Sequence, residues 1–340
     1  MSRTELKDLG EFGLIDLLTK NIKHQNPSTL KGVGDDAAVL DHGKLKTVVS
    51  TDLLVEGIHF DLTYTPLKHL GYKSVVVNLS DIYAMNAQPK QITVSLAISN
   101  RFSVEAVHEL YEGVHLACQV YGVDLIGGDT TSSIQGLTIS VTALGEAEEQ
   151  NIVYRKGAKK GDLLCVSGYL GGAYVGLQLL EREKQIFMEH PNMQPDLENK
   201  DYIVGKILKP EARKDIIDFF AKHSILPTSM IDISDGLSSD LIHLCMQSKV
   251  GAFVEENALP VAQETTMKAL DFKLPPTTCA LNGGEDYELL FTIHPDDAEK
   301  IKYSFDIRII GEITDASDGI NLHTTGGNIK ELIAQGWQHH

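Results

Sequence analysis

Aspartate recurs in four stretches of this sequence, three of them with glycine: GVGDDAAV at 32–39, STD at 50–52, IGGDTT at 126–131 and IDISDG at 231–236. Each reads as the end of a strand. An aspartate just past a strand is held by the sheet while its carboxylate projects, and several such ends converging offer oxygen ligands to a hard cation such as magnesium. A further acid, Asp81, lies three residues after Asn78 in the helical pattern VVVNLSDIYAM, so both share one face of an otherwise apolar stripe. A carboxylate there is costly unless paired or bound to metal. Taken singly, these acids have ordinary explanations as turn formers and helix caps. Four acid-bearing strand ends together with an acid in a buried stripe exceed what turns require.

Asp35 and Asp36 are neighbours, so in an extended segment they point to opposite sides and only one joins such a cluster. GVGDDA fits a loose dinucleotide pattern, yet the AAVLDHGKLKTVV that follows reads as strand, turn, strand rather than helix, which argues against a nicotinamide enzyme. No G-x-x-x-x-G-K-[ST] loop occurs, so any ATP site must rely on metals and backbone amides. NGGEDYELLFTI at 282–293 sets two glycines before Glu285 and Asp286 and then an alternating strand. The glycines permit a sharp turn or a close approach to a ligand; a hairpin with solvated charges fits equally well.

The elements that must position these residues alternate between strand and helix, predicting a mixed α/β or α+β architecture. Lys46–Ser50 is a strand stopping at Thr51-Asp52, and Thr65-Pro66 starts a helix that reaches about Met85. Gln91–Ser99 is a strand, and Ser103 caps a helix with Val104, Val107, Tyr111, Val114 and Cys118 on one face. Asp124–Ile126 is a short buried strand breaking at Gly127-Gly128; Leu137–Gly145 alternates as an edge or half-buried strand. Polar residues 146–162 mark a domain boundary, after which strand-like Leu163–Val166 leads into SGYLGGA and Met230–Ile233 into a helix start at SDGLSSDLIHLC.

The chain has 340 residues, 42% of them hydrophobic and 23% charged, enough for two domains. Its net charge of −17 disfavours a nucleic-acid partner. No apolar run is long enough to cross a membrane and no leader pattern opens the sequence, so a cytoplasmic, soluble protein is expected. Cys118, Cys165, Cys245 and Cys279 are far apart and sit among apolar residues, reading as buried thiols rather than a zinc site or disulfides.

The pieces GEFGLID, GVGDDAAV, STDLLVEGIHF, VNLSDIYAM, LIGGDTT, IDISDGL and GGEDYEL occur in an order that resembles the thiamine-monophosphate kinase family, nearly end to end. That family belongs to a superfamily with aminoimidazole ribonucleotide synthetase, selenophosphate synthetase and a hydrogenase-maturation protein. TDLLVEGIHF and GGEDYEL favour the kinase; the reactive terminal cysteines of two relatives have no counterpart, since the chain ends GWQHH and has no cysteine before Cys118. Lysines at 156 and 160, a single proline in KPEAR, and Tyr83 and Asn86 depart from the family pattern without removing an acid.

The resemblance implies ATP-dependent phosphorylation of thiamine monophosphate to thiamine diphosphate, with magnesium ions held by Asp36, Ser50, Thr51, Asp52, Asp81, Asp129, Asp232 and Asp235. Tyr111, Gly128, Asp129, Arg155 and Ser234 would contact the nucleotide, and His59, Glu285 and Trp337 the thiamine phosphate. It also implies an α+β fold in two domains: residues 1–150 with a four-stranded sheet that pairs with that of a second copy in a homodimer, and 151–340 closing the site. The physical reading agrees, because phosphoryl transfer depends on in-line positioning and charge neutralisation, so direct transfer without a covalent catalytic residue is expected. Another ATP enzyme of the superfamily, or a noncatalytic sensor lacking turnover, is the alternative.

Overall fold

A computed structural model describes residues 29–31, 34–304 and 306–334. Trp337 lies outside the described residues. The chain builds two mixed sheets with helices, an α+β fold.

The first sheet contains β1 (Thr29–Lys31), β2 (Ala38–Asp41), β3 (Leu45–Val55), β4 (Gln88–Ile98), β5 (Asp124–Ser132) and β6 (Leu137–Glu148), ordered β1-β2-β3-β6-β4-β5. Six strands replace the four implied by resemblance, because the strand-turn-strand of AAVLDHGKLKTVV folds β2 back onto β3 and the short β1 extends that edge. Pairing is antiparallel except between β4 and β5, which run parallel across a helical crossover. β3 does not stop at Thr51-Asp52: it pairs with β6 through Val55, so both residues are mid-strand. β6 alternates buried and half-buried residues as expected but is central rather than an edge, and β5 is the exposed edge, continuing through Gly127-Gly128 by means of a bulge.

Two helices cover one face of this sheet, α1 (Leu67–Ala84) and α2 (Val104–Tyr121). Gly71 and Gly113 allow their close crossing. A Cβ at Gly71 would come within 1.9 Å of the Leu110 carbonyl oxygen, and one at Gly113 within 1.9 Å of that of Lys68. Ser103 caps α2, accepting the Ala106 N–H at 3.2 Å. The buried stripe of α2 is Leu110, Val114, Ala117 and Tyr121, whereas Val104 is exposed and Cys118 half-buried; the core lies under the last three turns and the first turn overhangs it. α1 is buried on nearly every side, which requires apolar partners all round.

The second sheet supplies them. It contains β7 (Leu163–Ser167), β8 (Ser229–Ile233), β9 (Gly251–Glu255), β10 (Glu288–Ile293), β11 (Ile307–Thr314), β12 (Ile320–His323) and β13 (Ile329–Glu331), ordered β13-β12-β9-β11-β7-β10-β8. Around it lie α3 (Gly172–Glu189), α4 (Asp201–Leu208), α5 (Lys214–His223), α6 (Leu237–Ser248), α7 (Gln263–Asp271), α8 (Pro276–Asn282) and α9 (Ala298–Ile301). The edge strand β8 packs on α1, and one core runs from Val75, Leu79 and Ile82 of α1 to Met230, Leu289 and Phe291 of this sheet. β10 is buried on both faces rather than alternating. No helix among the described residues is long and apolar enough to cross a membrane.

Candidate active site

Three acids from distant parts of the chain meet where the two sheets face each other across α1. Asp36 precedes β2, Asp81 stands in the last turn of α1 and Asp232 lies in β8; each offers a carboxylate oxygen within 4.8 Å of the others. Two hydroxyls and a guanidinium hold them. The Ser50 Oγ donates to Asp81 at 2.5 Å, and the Ser80 Oγ donates to Asp232 at 2.7 Å. Arg155 grips Asp36 with both arms, Nη2 at 2.6 Å and Nε at 2.8 Å.

The negative charge exceeds what these partners neutralise. Burial, then the charges of Asp52, Asp232 and Asp36, push the Asp81 carboxyl well above the usual range. Its place at the C-terminal end of α1, where the helix dipole is negative, adds to the demand for a cation. Burial and the Asp36 charge push Asp232 up to about 7, against the Ser80 bond and Arg155. Asp52, raised by burial to about 6, stands beside them, its main-chain N–H donating to Asn78 Oδ1 at 2.9 Å. Burial opposes the Arg155 charge, but Asp36, Asp35 and Asp232 override it and hold the guanidinium protonated. Buried oxygen ligands in such surplus suit a hard divalent cation, with Asp36, Asp81 and Asp232 as its nearest set.

Not every expected residue joins this group. Strand alternation puts the Thr51 side chain on the opposite face of β3 from Ser50, where its Oγ1 donates to the Val141 carbonyl at 3.0 Å. Asp129 is exposed on β5, with Oδ1 accepting the Thr130 N–H at 2.9 Å. Gly128 beside it lies against β4, where a Cβ would stand 1.7 Å from the Val94 carbonyl oxygen. Tyr111 lies on α2, where it lines a shallow cavity of about 350 Å³ with Lys68, His115 and Gln119, none of them an acid of the cluster. His59 accepts the Val55 N–H at Nδ1, at 3.0 Å.

The loop after β8 closes the group. The Ser234 carbonyl accepts the Glu285 N–H at 2.7 Å, and the Asp235 N–H donates to Asp240 at 3.3 Å. Asp240 is fully buried, its carboxyl raised by burial and by the charges of Asp235 and Asp232. Asp286 is buried rather than solvated. It accepts the Gly171 N–H at 2.7 Å in front of α3, and burial carries its carboxyl to about 7. Ser80, Asp240 and Lys73 were not singled out from sequence. A lysine within the apolar run GYKSVVV was a usable signal, because an unpaired lysine is rarely buried there.

Residues 34–147 match the model of the AIR synthase related protein N-terminal domain. A thiamine-monophosphate kinase of Aquifex aeolicus (strain VF5) is 36% identical over 334 residues, 98% of this chain and 99% of that one. One from Bacillus subtilis (strain 168) is 34% identical over 299 residues, 86% of each. A solved structure described as AaThiL complexed with AMPPCP and TMP superposes with a TM-score of 0.84 at 34% identity, covering 100% of both chains.

Proposed function

The chain belongs to the thiamine-monophosphate kinase family, and on that premise we propose that it transfers the γ-phosphoryl group of ATP directly to thiamine monophosphate. A phosphate oxygen of the acceptor forms the new P–O bond while the bond to the β-phosphate breaks, giving thiamine diphosphate and ADP. The observation that carries this reading is the convergence of Asp36, Asp81 and Asp232, from distant parts of the chain, within 4.8 Å.

In this reading Asp36, Asp81 and Asp232, within 4.8 Å of one another, would hold magnesium together with Asp52, Asp235, Ser50, Thr51 and exposed Asp129. When bound, it neutralises phosphate charge in the transition state. The hydroxyls of Ser50 and Ser80 fix the directions of Asp81 and Asp232, so the acids need not reorganise as charge develops. Arg155, Ser234, Gly128 and Tyr111 contact the nucleotide, and His59, Glu285 and Trp337 the thiamine moiety. The acceptor oxygen is already ionised at neutral pH, so no general base is required.

Residues 1–150 and 151–340 act as the two domains. The face of the first sheet away from α1 bears Thr51, Leu53, Ser95 and Thr142, with Leu53 55% exposed, and supports pairing with a second copy in a homodimer.

The test is product analysis with ATP and magnesium, comparing thiamine monophosphate, thiamine and aminoimidazole-pathway intermediates, with Asp52→Asn as control. Thiamine diphosphate formed from the monophosphate alone, and lost in the variant, is the expected result. ATP turnover with another acceptor would move the activity to a different branch of the superfamily.

A further inference from the structure

Lys73 is a buried cation that the kinase reading leaves without a role. It projects from α1, with its side chain 4% exposed, and its Nζ lies 2.8 Å from Glu285 Oε2 and 3.2 Å from the Ile207 carbonyl oxygen. Those two bonds are its polar partners among the described residues. Ser80 stands seven residues further along α1, close to the same face after two turns, and holds Asp232. The helix rise separates the two residues by about 10 Å along the axis.

The segment carrying Glu285 is fixed from several sides. Glu285 and Tyr287 both have left-handed backbones, φ 64° and 50°, a conformation that side-chain-bearing residues keep only when their surroundings impose it. Their N–H groups donate to the carbonyls of Ser234 at 2.7 Å and Ile233 at 2.9 Å, and Asp286 is turned away to the Gly171 N–H. Glu285 is thereby directed toward Lys73, with one oxygen taken, the other making no hydrogen bond among the described residues, and the side chain 29% exposed.

Resting on the kinase reading, we propose that Lys73 is a positioning residue for acceptor recognition. It clamps one Glu285 oxygen so that the other meets the cationic thiazolium and aminopyrimidine part of thiamine monophosphate. Lys73 itself need not touch the substrate.

The test compares wild type, Lys73→Met, Glu285→Ala and the double variant by steady-state kinetics and by calorimetric titration with thiamine monophosphate. Lys73→Met should raise the KM for thiamine monophosphate about tenfold, leaving kcat and the KM for ATP within about twofold. In the Glu285→Ala background it should add nothing. Lys73→Gln, which retains a donor at the same place, should fall between wild type and Lys73→Met and serves if the latter does not fold. An unchanged KM for the acceptor, equal rises for both substrates with a lower Tm, or additive effects in the double variant would each overturn the proposal. A wild type that makes no thiamine diphosphate would remove the kinase reading and this one together, whereas an active wild type with unaltered Lys73 variants removes only this one.

Discussion

The Ser80 hydroxyl donates to Asp232 at 2.7 Å across 152 residues of sequence, joining the central helix of one half to the edge strand of the other inside the acid cluster. Removing the donor by Ser80→Ala should loosen Asp232 without deleting a carboxylate. Bonds to charged groups contribute roughly 1.5–3 kcal/mol, so kcat should fall about tenfold or more while the fold persists. Steady-state assays with circular dichroism check this.

Asp81→Asn separates stability from activity. The carboxylate is buried among like charges, so replacing it should leave the Tm without metal unchanged or higher, yet lower kcat by a hundredfold or more, on the scale of losing an electrostatic stabiliser. A Tm that drops while kcat stays would contradict the assignment.

The pH dependence of stability should invert the usual carboxylate pattern. Asp52 at about 6, Asp232 and Asp286 at about 7, and Asp81, also raised by burial and its acidic neighbours, all bind protons more tightly folded than unfolded. Their stabilising contribution is complete below the unfolded value near 4 and is lost as pH rises through the folded values. In chelator, the Tm should therefore fall between pH 5 and 8. Excess magnesium should remove most of that fall, leaving the share of Asp286, which lies at the α3 terminus. Differential scanning calorimetry at both conditions decides it.

Arg155→Met leaves buried Asp36 without its counter-charge, a change that costs roughly 3–5 kcal/mol where one partner of a buried pair is removed. The variant should melt earlier in chelator, recover much of the loss with magnesium, and show a KM for ATP raised at least tenfold. Recovery without any change in the KM for ATP would confine Arg155 to holding Asp36.

Leu53→Glu on the open face of the first sheet should shift the protein toward monomer in light scattering, if that face pairs with a second copy. An unchanged mass would place the interface elsewhere.

Much of this site was legible in short patterns. The strand-turn-strand pattern of AAVLDHGKLKTVV marked two paired strands, and the three-residue spacing of Asn78 and Asp81 placed both on one face of a helix. What could not be read was set by pairing between distant segments. Thr51-Asp52 looked like a strand end because polar residues interrupt an apolar run, but β6 supplies partners that carry β3 onward to Val55. Glu285 and Asp286 fitted a solvated hairpin equally well, because local sequence does not reveal that Lys73 and the front of α3 wait on opposite sides. Asp129 and Thr51 belong to matching motifs, yet β5 lies at the open edge and strand parity turns Thr51 away from the acids.

The clamping of α1 between two sheets also bears on how the chain is made. At roughly 5–20 residues per second, β8 leaves the ribosome on the order of ten to thirty seconds after α1. For that interval the α1 surface that will receive β8 lacks that strand, while α2 and the first sheet can already form from local contacts. The nascent first half is thus a sticky intermediate with half a site. Slow translation between residues 150 and 229 should lengthen its exposure and its dependence on chaperones.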